Sequence, residues 1–257
     1  MNYVSGASGF LGSHLVKQLT DVVAIPHEDI AAALPLRQFD NFFFVSAYGN
    51  LASQTDDTQI CKANLIDLIS IIKQAVTFDF KSFVYISTSS VKLKNQTMYS
   101  RTKRAAEEIL LAFMEKYNKP ICIIRPLSIT GVGEQREHLI PTLIRSCLTN
   151  ERINLVIPPT HDFIDVQDVV AGILSLSEHR ARGIYELGTG IKHSNGDVLN
   201  IVQSVTGGKA NANLVPNMRA YDNDDWVSTN FKARSYGWLP KKTLHNSIEE
   251  MVKEYKK

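Results

Sequence analysis

Along the chain, apolar β-branched runs alternate with segments whose apolar positions recur every three or four residues. Asn2–Ser5 has the pattern of a short strand, and an amphipathic stretch follows it as far as Leu19. Val22–Ile25 reads as a second strand, broken by Pro26. From Asn41 to Ala47 the sequence NFFFVSA is apolar without alternation, as in a parallel strand covered on both faces. Between Asn64 and Val76, Leu65, Leu68, Ile69, Ile72 and Val76 share one helical face. Phe83–Ile86 is another buried strand, running into hydroxyl residues and a polar turn. The helix that opens near Tyr99 keeps Ile109, Leu110, Phe113 and Tyr117 on its inner side. Ile121–Arg125 repeats the buried-strand pattern and stops at Pro126. Strands and helices alternating at this spacing predict an α/β fold with a doubly wound, parallel, Rossmann-type sheet.

Beyond Pro126 the pattern loosens. The spacing predicts a loop at Ser128–Gly133, a helix at His138–Leu148, a strand at Ile153–Ile157 and a helix at Asp165–Leu176. A strand at Gly183–Leu187 and a helix at Asp197–Val205 follow, then a terminal helix with Leu244, Ile248, Met251 and Val252 inward. The expected division is a dinucleotide-binding domain of residues 1–127, rejoined by roughly 153–187, and a smaller C-terminal substrate-binding cap of 128–152 and 188–257. Such a cap would shape a pocket at the sheet's carboxyl edge. The 257 residues are enough for one large domain or two interlocked ones, and no linker separates the parts.

Composition narrows the classes. Hydrophobic residues at 44% and charged residues at 21% suit a globular protein, and a net charge of +2 offers no field for nucleic acid or a membrane surface. The three cysteines, Cys61, Cys122 and Cys147, lack CxxC spacing, so neither a disulfide framework nor a metal site is expected. Gly6 and Gly9 interrupt any apolar leader and no run reaches membrane-spanning length, which makes the cytoplasm the expected location.

Two stretches carry candidate chemistry. In GASGFLG, Gly6, Gly9 and Gly12 fall three apart, directly after a strand and at the start of a helix. Such a turn lets backbone N–H groups approach a pyrophosphate; without a ligand it is simply a tight βα turn. Glu28 stands near the ~20-residue offset of a ribose-binding carboxylate, although Pro26 and His27 precede it. The second stretch is Phe83–Glu108. On a helix, Tyr99 and Lys103 lie one turn apart on one face, and a cation beside a phenol favours its ionised form. Thr88, at a strand end, could share a substrate hydroxyl with Tyr99. A surface YxxxK with no role would show the same spacing.

Together these segments resemble the extended short-chain dehydrogenase/reductase family, particularly its nucleotide-sugar epimerases, dehydratases and reductases. The likeness runs nearly end to end. GASGFLG resembles the GxxGxxG cofactor loop, Val45-Ser46-Ala47 the fourth-strand apolar-Ala-Ala, and Asn64 the helix asparagine. Ile86-Ser87-Thr88 is similar to the strand bearing the catalytic Ser or Thr, and YSRTK to YxxxK. RPLSITGVG resembles RPxNxYGPG, HDFIDVQDV resembles RDFIHVDDV, GIYELGTG resembles YNxGxG, and RAYD resembles RxGD. The resemblance implies Tyr99 as general acid/base, Lys103 as the group that lowers its pKa and holds the nicotinamide ribose, and Thr88 on the reacting sugar oxygen. For the cofactor, NAD or NADP, it implies Gly6, Gly9, Phe10, Leu11, Gly12, Ser46, Ala47, Tyr99, Lys103 and Pro126. It also implies Asp29-Ile30 on the adenine, the preferred reading of that loop over Glu28 on the ribose. For a nucleotide-sugar substrate it implies Thr88, Ser89, Ser128, His161, Arg219 and Asp222. Homodimers built on the helices carrying Tyr99 and Asn64 are usual in the family.

The departures carry information. The stretches from Thr88 to Tyr99 and from Ile25 to Phe42 are short, so a trimmed rim and a reduced strand-helix unit are expected. Ser128 stands for the usual asparagine, His161 for arginine and Asp165 for histidine. Ser89-Ser90 follow Thr88 where 4,6-dehydratases carry Asp-Glu. The resulting expectation is a reductase acting at C4 of a nucleotide-linked sugar, with a 4-epimerase and a non-catalytic dinucleotide sensor as the competing classes. Because His27 lies at the end of the second strand, NADPH is expected to serve at least as well as NADH in steady-state assays. A preference for NADH above ~10-fold, about 1.4 kcal/mol, would place a carboxylate on the ribose hydroxyls instead.

Overall fold

The computed structural model describes residues 1–26, 30, 36–216, 226–229 and 231–257. Within them the chain runs β1 (Asn2–Ser5), α1 (Phe10–Val16), β2 (Val22–Ile25), β3 (Asn41–Phe44), α2 (Asp57–Cys61), α3 (Asp67–Ala75), β4 (Ser82–Ile86), α4 (Met98–Tyr117), β5 (Ile121–Pro126) and β6 (Ser128–Thr130). It continues through α5 (Leu139–Thr149), β7 (Arg152–Leu155), β8 (Thr160–His161), β9 (Phe163–Asp165), α6 (Val166–Glu178), β10 (Gly183–Leu187), β11 (His193–Ser194), α7 (Asn195–Thr206), β12 (Asn211–Leu214) and α8 (Leu244–Tyr255). A π-helical turn, Lys62–Ile66, joins α2 to α3, and a 3-10 turn covers Ser89–Lys92.

The central sheet has the order β10-β5-β4-β3-β1-β2, and every neighbouring pair is parallel. Its carboxyl ends therefore share one edge. Strand order reverses between β1 and β3, which is where open α/β sheets leave a ligand crevice. Among the described residues no strand lies between β2 and β3 in the chain, in keeping with the short Ile25–Phe42 stretch. β2 is consequently an edge, with Val23 37% exposed.

The run of three phenylalanines in β3 reads without alternation because both faces of the sheet are covered. Phe42 and Phe44 join Tyr3, Phe80, Phe83 and Tyr85 on one face, beneath Leu68, Ile71 and Ile72 of α3 and Leu110 of α4. Phe43 turns the other way, with Val4, Val84, Ile86 and Ile124, against Leu11 and Leu15 of α1 and the apolar stripe of α6. Phe42 and Phe83 stack with centroids 5.1 Å apart; offset aromatic contacts of this kind add to plain burial.

A third cluster stands apart from the sheet. It joins Ile140, Leu143 and Ile144 of α5, Ile153 and Leu155 of β7, Val198 and Val202 of α7, and Leu244, Ile248 and Met251 of α8. β7 pairs with β12, and the chain rejoins the packing of the sheet at Ile164. Ser128–Thr130, expected as loop, instead pairs as β6 with β9, so the segment after Pro126 is tied to the segment before α6. Asp165 caps α6 by accepting from the Gln167 amide at 2.8 Å, and its other oxygen accepts the Ser247 hydroxyl of α8 at 2.7 Å. Asp168 accepts both the Lys241 and Lys242 amides, fixing the approach to α8. Among the described residues no helix is long and apolar enough to cross a membrane, and no cluster of three or more His, Cys, Asp or Glu could hold a metal ion.

Candidate functional site

The glycine turn is built backbone upon backbone. Gly6 has φ +71°, and a Cβ on it would lie 2.7 Å from the Ser46 amide nitrogen. A Cβ on Gly12 would lie 2.0 Å from the Gly6 carbonyl oxygen. Neither position admits a side chain, so the end of β1 and the first turn of α1 press directly against the end of β3. Gly9 is the residue before α1; Leu11 is buried and Phe10 sits edge-on to His14. Hydroxyls close the gap between strands: Ser46 donates to the Ser5 hydroxyl at 2.7 Å, which also accepts the Val45 amide at 3.2 Å. Ala47 follows half-buried, and Pro126 ends β5 at the same edge. Ile30 is buried in the cluster around Tyr3 and Leu36. His27, Glu28, Asp29, Arg219 and Asp222 lie outside the described residues.

Tyr99 falls in the first turn of α4, which Thr97 caps by accepting the Ser100 amide, and Lys103 follows one turn later. Asn64 braces this turn from the π-helical segment. Its amide carbonyl accepts the Tyr48 N–H at 3.0 Å, and its NH₂ donates to the Tyr48 carbonyl and the Thr102 hydroxyl. The loop it holds passes over Tyr99, where a Cβ on Gly49 would sit 3.4 Å from the Tyr99 Cβ. The π-helical turn itself is closed by Lys62, whose ammonium bonds both oxygens of the buried Asp67.

Burial acts on both titratable groups. It pushes the Tyr99 phenol up to about 12, opposed by a side-chain hydrogen bond with Thr88. It brings Lys103 down to about 7, opposed by the charge of Glu107. The sequence reading expected Lys103 to favour the phenolate; here its ammonium donates to the Ile86 carbonyl at 2.5 Å and rests 4.1 Å above the Tyr85 ring. Both shifts favour the neutral form, as desolvation dictates. Glu107, one turn beyond Lys103 and 1% exposed, takes a two-point bond from Arg125 and the hydroxyl of Ser87. The sequence reading missed Glu107, Arg125 and Ser87. The signals were an acidic residue at i+4 on the face of Tyr99 and Lys103, and a lone arginine in an otherwise apolar strand.

On the other side of the site, Thr88 caps the 3-10 turn, accepting the Ser90 amide and donating to the Ser90 hydroxyl at 3.1 Å. Ser89 and Ser90 are buried. Ser128 reaches His161 at 3.4 Å, and the His161 ring packs on Trp226 and Phe163. Ser89, Lys92, Leu93, Leu127 and Trp226 are among the walls of a cavity of about 210 Å³ beside these residues. A more open cavity of about 620 Å³, between Asp40, Lys81 and Lys119, lies at the opposite edge of the sheet and shares none of them. Phenol, hydroxyl and ammonium thus converge at the carboxyl edge, between the glycine turn and the cavity. Chemically, such a set is able to pass a proton to an oxygen placed beside it.

Lys103 also sets a pH dependence. Its folded value lies below its unfolded one, so between about 7 and 10.5 the unfolded chain binds more protons and stability rises with pH. The stability of the wild type relative to Lys103→Met should therefore increase by about 1 kcal/mol from pH 7 to 8, measured by urea unfolding without ligands. A constant difference would mean that Lys103 does not titrate in this range.

Residues 41–188 match the model of the NAD dependent epimerase/dehydratase family. CDP-abequose synthase from Salmonella typhimurium (strain LT2) is 25% identical, the match covering 97% of this chain and 96% of that protein. Among solved structures, MoeE5 in complex with UDP-glucose and NAD aligns with a TM-score of 0.85 at 22% identity, over 99% of this chain and 98% of its own. UDP-N-acetylglucosamine 4-epimerase from Methanobrevibacter ruminantium M1 in complex with UDP-N-acetylmuramic acid reaches 0.92 at 18% identity, over 99% and 97%. The two structures establish the likeness of fold. The family match spans more than half of the sequence, from β3 to just past β10, and includes Thr88, Tyr99, Lys103, Ser128 and His161. The chain belongs to the NAD dependent epimerase/dehydratase family.

Proposed function

We propose that the protein is an NAD(P)-dependent reductase of a keto group, at C4, on a nucleotide-activated sugar. The observation that carries this reading is the pair Ser89-Ser90 directly after Thr88. Elimination of water needs a base for one proton and an acid for the departing hydroxyl, and two serines supply neither near neutral pH. Reduction needs only a proton donor beside the hydride that a bound nicotinamide would supply. Burial keeps Tyr99 protonated up to about 12, which suits donation rather than abstraction.

The residues fit a dinucleotide. The cradle formed by Gly6 and Gly12 would be filled by any Cβ, and Ser46, Ala47 and Pro126 line the same edge. These residues, with Phe10 and Leu11, would hold the cofactor; the bound nicotinamide supplies the hydride. MoeE5, of the same fold, is seen with NAD and UDP-glucose, in line with this assignment. In this reading Thr88 hydrogen-bonds the reacting oxygen, Tyr99 gives it a proton, and Lys103, in its ammonium form, would orient the cofactor ribose and stabilise the phenolate left behind. Ser128 and His161 would meet the sugar nucleotide, as would Arg219 and Asp222 by the resemblance alone. Pairing of two copies through α4 and the helix bearing Asn64 belongs to the same reading.

The test is stoichiometry. A nucleotide-4-keto sugar should consume one equivalent of reduced cofactor, whereas a 4-epimerase would interconvert hexose isomers with no net consumption. Release of a 4-keto-6-deoxy product from a plain nucleotide-hexose would overturn both readings. Tyr99→Phe should lower turnover by at least ~100-fold while cofactor affinity, followed by fluorescence titration, stays within about twofold. Near-normal turnover would remove Tyr99 from the mechanism.

A further inference from the structure

The 3-10 turn after Thr88 ends in Lys92, whose ammonium crosses to Glu186 at 2.7 Å and also reaches the Thr229 hydroxyl at 3.4 Å. Glu186 lies near the end of β10 and is only 4% exposed. Its other oxygen accepts the Thr229 amide at 3.1 Å and the Ser228 hydroxyl at 3.2 Å. One buried carboxylate therefore joins three pieces of chain: the sheet, the turn that carries Thr88 to Ser90, and the segment Trp226–Thr229. Asp162, with no exposure, secures the same segment from below by accepting the Ser228, Thr189 and Gly190 amides.

Lys92 and Trp226 both line the cavity of about 210 Å³ beside Ser89. Glu186 falls on the asparagine of the YNxGxG pattern, so a carboxylate stands here at a position that is neutral in that pattern, and a lysine from the adjacent turn meets it. The charge continues inward. Glu186 is the register partner of Arg125, which binds Glu107, the carboxylate that acts on Lys103. A buried carboxylate that loses a partner keeps its desolvation penalty, so each member of this row depends on the next.

We propose that Lys92 is a positioning residue, which through Glu186 clamps the turn after Thr88 to the Trp226–Thr229 segment and so fixes the width of the cleft between them. That this cleft receives the sugar nucleotide rests on the function proposed above; the clamp itself does not. The clamp acts on geometry rather than on the proton-transferring atoms. Its loss should therefore weaken sugar-nucleotide binding and leave the glycine-turn side untouched.

Two readouts separate the ideas, both on the full chain loaded with NAD. In Lys92→Met, hydrogen exchange at the Ser228 and Thr229 amides should accelerate about 10-fold or more, while Lys92→Arg should stay close to wild type. UDP-glucose, used as the probe ligand, should bind Lys92→Met about 10-fold more weakly with NAD affinity within about twofold of wild type. Should Lys92→Met not fold, Glu186→Gln removes the same pair without leaving a buried carboxylate unpaired, and should speed exchange at the same amides. Unchanged exchange in either variant, or Lys92→Arg exchanging as fast as Lys92→Met, overturns the clamp. Faster exchange with unchanged UDP-glucose affinity overturns the positioning role. If the wild type itself binds no UDP-glucose, a panel of CDP-, dTDP- and GDP-hexoses replaces it. Binding of none would defeat the proposed function, while the exchange readout would still decide the clamp.

Discussion

An ammonium with no solvent exposure imposes requirements on everything around it, and Lys103 is such a group. Taking it out of water is tolerable only with acceptors and opposite charge in place. The acceptor is the last carbonyl of β4, so α4 must cross that strand with Lys103 directly over Ile86. The opposite charge is Glu107, itself buried and therefore in need of Arg125, which fixes the level of β5 relative to β4. Ser87, the residue after β4, completes the set by donating to Glu107. One buried cation thus ties two strands and a helix into a single register. Thr88 and Tyr99 inherit their relative placement from it.

The glycine turn applies a second constraint at the same edge, of steric rather than electrostatic origin. Gly12 must approach the Gly6 carbonyl more closely than any Cβ permits, and Gly6 must approach Ser46 in the same way. The two constraints meet across β3 and β4, neighbours in the sheet, whose ends carry Ser46 and Thr88. The aromatic layer below them, from Tyr3 through Phe42, Phe83 and Phe80, gives the strands a stiff base on one face. Rigid strands with precise ends are what the proposed reaction would require, since hydroxyl and phenol would have to stay within hydrogen-bond reach of one oxygen.

Legibility in the sequence followed the range of the interaction responsible. The strands announced themselves because a parallel strand covered on both faces has no polar positions, as in Phe42-Phe43-Phe44. The glycine turn and the Tyr99–Lys103 pair were visible because their geometry is set within seven residues or one helical turn. Asn64 could be placed on a helix, but not in a π-helical turn, because that turn is stabilised by Lys62 meeting Asp67 and by loop contacts remote in sequence. Asp165 drew notice as a substitution on the substrate side, whereas its oxygens cap α6 and hold Ser247, eighty-two positions away. Lys92 and Glu186 are further apart still, and nothing local marks either as half of a pair. The segments carrying Asp29, Arg219 and Asp222 lie outside the described residues, so those expectations rest on the resemblance alone.

Desolvation moves Tyr99 and Lys103 in opposite directions on the pH scale for one reason, the disfavouring of charge. The same environment that makes the phenol a poor base makes the lysine half-neutral near pH 7. A site poised to take a proton from an alcohol would need the reverse, a phenolate stabilised by a firm cation. In the proposed reduction the resting pair would be a neutral donor beside a lysine able to gain charge. An anionic dinucleotide entering beside the glycine turn would raise the lysine toward its ordinary value, because an opposite charge offsets lost hydration. The cation that would steady the phenolate left after proton donation would then be present when the cofactor is bound, and only partly present before. Burial, often read only as a cost, would in the proposed reaction make the lysine's charge depend on what occupies the crevice.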